Sequence, residues 1–104
     1  MICRPPEEAD FAAMQALEGE LLRVEEPRFD SLALRERDAR TRTTVPSLLF
    51  FARSGHSFVA TSRPGRDGTS ALYGYVLAQA VWQGDRAVVL VAALAAHPDA
   101  PGGT

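Results

Sequence analysis

The residues with chemical potential are few and scattered. The chain carries one cysteine, Cys3, and two histidines, His56 and His97. A single thiol can form no intrachain disulfide, and with two imidazoles it cannot furnish a strong metal or redox centre. His97 has an imidazole whose ordinary pKa lies near neutrality and could act as a base, but its place before Pro98 equally suits a plain loop residue. His56 follows Gly55 and opens a strand, which suits a structural hydrogen bond better than ligand duty. The basic run Arg35, Arg37, Arg40 and Arg42, interleaved with Glu36 and Asp38, reads as a solvated face or as a contact for an anionic substrate. Tyr75 and Trp82 are an odd number of positions apart, so on one regular strand they point to opposite faces. One of them packs inside, and the other reaches a surface or groove.

These residues need elements to position them. Phe11, Met14, Leu17, Leu21 and Leu22 recur at helical spacing over 8–23, behind Glu7, Glu8 and Asp10, whose charge suits a helix start. Pro27 ends that pattern. Residues 28–43 admit a short helix carrying Leu32 and Leu34, capped by Asp30 or Ser31. Pro46 fits the first turn of a further helix over 46–54, which Gly55 closes. Strands follow near 57–62, 71–82 and 87–95, joined by the turn-rich 62–70 and by Gln83-Gly84-Asp85-Arg86. Ile2-Cys3-Arg4 is a short extended opening before Pro5 and Pro6, and Cys3 reads as a small buried hydrophobe. The last strand is almost wholly apolar, a composition that calls for cover on both faces.

With 104 residues there is room for one domain, with 46% hydrophobic and 23% charged residues. A formal charge of −2 leaves no electrostatic footprint for nucleic acid or an anionic membrane. No signal-peptide core or apolar run of membrane-spanning length is present in the sequence, which points to a cytoplasmic protein. The fold class is α+β: a short first strand, two to three helices, then a three-strand antiparallel meander.

That order of elements resembles the amino-terminal half of the GNAT (N-acetyltransferase) fold, the acyl-CoA N-acyltransferase type. Ile2-Cys3-Arg4-Pro5 followed by Glu8 and Asp10 resembles its usual start, and Gly74 stands where the superfamily commonly has a glycine. Phe50 to Phe58 together with Leu77-Ala78-Gln79-Ala80-Val81-Trp82-Gln83-Gly84 is similar to a small uncharacterised bacterial family of GNAT-like proteins. The resemblance implies a single GNAT-like domain over 1–104 that stops in the pyrophosphate loop. It implies acetyl-CoA as co-substrate and acyl transfer to an unknown small-molecule or peptide amine.

On that resemblance Ala93, Leu94 and Ala95 are the splayed end of the fourth strand, His97 lies on the approach to the loop, and Gly102, Gly103 and Thr104 begin it. Glycines permit close backbone approach to a phosphate; Gly102 and Gly103 equally suit a frayed terminus. Pro101 or a neighbour stands where an arginine or glutamine is expected, and with no following helix the chain is expected to hold acetyl-CoA weakly or not at all. No carboxylate lies between Ala87 and Ala96 to serve as the usual base. Glu25, Glu26, Asp30 or Glu36 could substitute, or each could be a solvated charge. The catalytic residues therefore stay open. The alternative reading is a non-catalytic interaction or regulatory module that self-associates, as a homodimer joined through the strand at 87–96, whose long uncharged edge invites pairing.

Overall fold

A computed structural model describes residues 1–98. Four strands form one antiparallel sheet in sequential order: β1 (Ile2–Arg4), β2 (Phe58–Thr61), β3 (Leu72–Gln83) and β4 (Arg86–Ala96). Three helices precede β2: α1 (Phe11–Glu25), α2 (Leu34–Arg40) and α3 (Val45–Arg53). The class is α+β, and the meander lies within a residue or two of the boundaries expected from the sequence. The first strand adds itself to the sheet by pairing Cys3 with Ala60.

Local chemistry explains the element ends. Glu8–Asp10 forms a single 3-10 turn before α1, so the regular helix begins later than its acidic approach suggested. The Glu26 amide closes α1 on the Leu22 carbonyl at 2.8 Å, just ahead of Pro27. Thr44 caps α3 by accepting from the Ser47 amide, with Pro46 in the first turn. Gly55 then adopts φ of +79°, the left-handed conformation that lets the chain leave the helix and enter β2.

Arg4 and Asp10 lock β1 to the start of α1. The guanidinium donates twice to the carboxylate, at 2.7 and 2.8 Å, and the Glu7 amide adds a third bond at 2.8 Å. The Arg4 hydrogen bonds, helped by the Glu7 amide, hold the Asp10 carboxyl below its ordinary range against the opposing effect of burial. A depressed folded pKa stabilises the chain above the unfolded value of about 3.9, and that contribution disappears as pH falls through the folded value. Asp10→Asn is therefore expected to lower the urea midpoint at pH 6 and to match the wild type near pH 2. An equal deficit at both pH values would mean that packing, not charge, holds this corner.

The core lies between the helices and one face of the sheet. Phe11, Met14 and Leu17 of α1 and Leu48 of α3 meet Val59, Tyr75, Leu77 and Ala95. Met14 and Leu77 are fully buried. At Gly74 a Cβ would lie 2.5 Å from the Ala95 carbonyl oxygen, so only glycine lets β3 and β4 approach as they do there.

Beyond Val76, β3 has no β2 partner, and serines from the α3–β2 connection take over. The Ser57 hydroxyl donates to the Ala78 carbonyl and accepts from the Ala78 amide, both at 3.0 Å, while Ser54 donates to the same carbonyl at 2.7 Å. Buried backbone groups need such partners wherever a ladder ends.

Cys3 corrects one expectation. It is exposed, because register with Ala60 turns it to the face opposite the core. Among the described residues no helix is long and apolar enough to cross a membrane.

Candidate functional site: the α1–β4 cleft and the open sheet face

Two surfaces stand out, and β4 contributes to both. The first is a cleft between the end of α1 and the end of β4, with a volume of about 160 Å³ and lined by Glu18, Leu21, Leu22, Glu25, Tyr75 and residues 93–95. Glu18 is its most unusual member. It follows Met14 and Leu17 on the inward stripe of α1 and is only 8% exposed. Its carboxylate accepts from the Arg42 amide at 2.9 and 3.1 Å, from the Thr43 amide at 3.2 Å and from the Thr43 hydroxyl at 2.7 Å. Gln15 adds a bond from its side-chain amide to the Thr43 carbonyl at 2.8 Å. The carboxylate thus fastens the α2–α3 connection to α1. None of the ion pairs among the described residues involves it.

Tyr75 reaches the same cleft from β3. The residue is 4% exposed, and its hydroxyl makes no hydrogen bond with any described residue. Burial, with a smaller contribution from the charge of Glu18, pushes the phenol well above its ordinary pKa. It stays protonated at neutral pH, a donor and an acceptor held against an anionic neighbour. Trp82, on the same strand, is 75% exposed, so the two aromatics do face opposite ways.

The structure places Ala93, Leu94 and Ala95 on the β4 wall of this cleft. Just before them the β3–β4 register skips Ala92, a bulge between Leu77 paired to Ala93 and Ala78 paired to Val91. His97 lies past β4, its amide bonded to the Tyr73 carbonyl at 2.7 Å and its imidazole 4.0 Å from the Glu20 carboxylate. Gly102, Gly103 and Thr104 lie outside the described residues. Of the four acidic candidates, Glu25 alone lines the cleft. Asp30 is held by Arg23 at 3.0 Å and Glu26 lies 3.9 Å from Arg40, while Glu36 is exposed on α2. Glu18 and Thr43 escaped the reading of the sequence, although a carboxylate set within the stripe of Met14, Leu17 and Leu21 is itself a signal. Its partner in the 42–43 connection has no such signature.

The second surface is the sheet face turned away from the helices. Alternation and register put Phe58, Val76 and Leu94 in one row, followed by Val91, Val89 and Trp82. Phe58 is 46% exposed, Val89 54%, Val91 61% and Leu94 73%. The outer edge of β4 has no strand partner among the described residues. The cover that the composition of this strand demands is therefore lacking on one face.

A family model described as "protein of unknown function (DUF1999)" matches residues 1–104. Among solved structures the chain is similar to TTHA1254 from Thermus thermophilus. It is 31% identical to a point mutant of that protein, with a TM-score of 0.62 over 92% of this chain and 54% of the other. The wild-type structure gives 31% identity and a TM-score of 0.60 over 93% and 55%. The chain thus spans about half the length of the solved proteins it matches. No curated protein matches it. These findings correct the GNAT resemblance: the model spanning the whole chain is that of a family of unknown function, and neither structural match points to an acetyltransferase.

Proposed function

Because the chain belongs to the DUF1999 family, whose function is unknown, we propose its role from its own surfaces: a self-associating interaction module that pairs through β4 and the open sheet face. The observation that carries this reading is the row Phe58, Leu94, Val91 and Val89, every member of which is close to half exposed or more on one face of one sheet. Contiguous apolar surface of this kind marks an interaction site on a soluble domain. Each such side chain contributes about 1.5–3 kcal/mol when buried, a large share of the roughly 5–15 kcal/mol by which a domain is stable.

A second copy of the chain is the occupant that fits. From Ala87 to Ala96 the strand carries no charge that would repel its own twin. A twofold contact asks only that a patch be complementary to itself, and an antiparallel β4–β4 pairing meets that condition.

Light scattering on the dilute full chain tests the proposal. The expected mass is twice the 11.2 kDa of the single chain, with Trp82 emission moving to shorter wavelength as concentration rises through the association range. A monomer with slowly exchanging Val89 and Val91 amides would overturn it, since another part of the same chain would then cover that edge.

A further inference from the structure

We propose that the α1–β4 cleft is a binding site for a small organic cation with a short apolar tail. This inference is independent of self-association and rests on two cleft-lining groups whose hydrogen-bonding capacity the fold leaves incomplete. Glu18 is more than nine-tenths buried, yet its charge is met only by two backbone amides and a hydroxyl, with no cationic side chain. Its Oε2 accepts a single bond, from the Arg42 amide at 2.9 Å, and so retains an acceptor position. Tyr75 is 4% exposed as a residue and lines the same cavity; its hydroxyl makes no bond to a described residue and is not among the fully buried polar atoms, so it opens on the cavity. That hydroxyl is a donor and an acceptor available to a molecule in the cavity.

The chemistry that satisfies both groups is a cationic N–H donor. An ammonium group can donate to Glu18 Oε2 and to the Tyr75 oxygen while its charge offsets that of the carboxylate; Glu25 at the same cleft adds a second negative group. A divalent metal fits poorly. Calcium takes six to eight oxygen ligands, and no group of three or more His, Cys, Asp or Glu among the described residues could hold an ion. Leu21, Leu22 and Ala93 supply apolar lining. A volume of about 160 Å³ lies below the roughly 300–1,000 Å³ of sites for larger ligands, so the tail must be short.

The test is a backbone-amide NMR titration of the full chain with n-butylammonium, run beside n-butanol and n-butyrate. Saturable shifts are expected at residues 18–25, 75 and 93–95 with n-butylammonium, and neither control should reproduce them at the same concentration. Tyr75→Phe and Glu25→Gln should each weaken binding at least threefold while keeping the wild-type spectrum elsewhere. Glu18 is left intact because its loss loosens the fold. No saturable shift at these residues would overturn the proposal. So would equal binding of n-butanol, which would make the cleft merely apolar, or unchanged affinity in Tyr75→Phe.

Discussion

Glu18→Ala is expected to remove at least about 3 kcal/mol of stability. Hydrogen bonds to a charged group contribute roughly 1.5–3 kcal/mol each, and a buried donor left without its acceptor adds a desolvation penalty. Here the carboxylate serves the Arg42 amide, the Thr43 amide and the Thr43 hydroxyl together, and Thr43 is 1% exposed, so water cannot easily replace it. Against a total of about 5–15 kcal/mol, the variant stands at the margin of folding. Urea unfolding followed by circular dichroism reads the loss as a lower midpoint at constant slope. Glu18→Gln should fall between the two, since its amide oxygen can still accept from Thr43 while its NH₂ faces donors. A loss below about 1 kcal/mol would mean the 42–43 connection holds to α1 without this carboxylate.

The second large effect is on association. Val91→Lys with Leu94→Lys is expected to weaken the dimer by at least a hundredfold, while leaving the monomer folded. The two side chains are 61% and 73% exposed in the single chain, so neither supports the core. Surface substitutions away from special features usually change stability by no more than about 0.5 kcal/mol. In a twofold interface each substitution occurs twice, and losing about 1.4 kcal/mol corresponds to a factor of ten. Four apolar side chains replaced by charges facing like charges exceed the two such factors required. Sedimentation or light scattering against concentration gives the answer. A double variant that still dimerises would move the interface elsewhere; one that unfolds would show that this face is already used within the chain.

Much of the architecture was legible because it is written in local periodicity. Phe11, Met14 and Leu17 mark α1 by helical spacing, Pro46 and Gly55 bracket α3, and the strands announce themselves by β-rich runs between turn residues. The odd spacing of Tyr75 and Trp82 correctly put them on opposite faces. The tight turn between β3 and β4 and the turn-rich segment between β2 and β3 then make a meander the natural order. The family did not follow from these features. A strand, two to three helices and a meander are what such lengths and turns produce in many contexts, and element order is too coarse a signal to identify relatives.

The set of elements, their order and the apolar character of β4 are local properties, since all of them depend on neighbours a few positions apart. Which groups meet depends instead on how distant elements pack together. Glu18 and Thr43 lie on different elements, and Tyr75 joins them through sheet register; no spacing rule links the three. Register likewise decided that Cys3 is exposed and that Val89, Val91 and Leu94 share the open face, since a skip at Ala92 reverses the alternation that a regular strand would have kept. A one-residue shift moves a side chain from core to solvent, and that shift arises from packing between strands rather than from the residues of either strand alone.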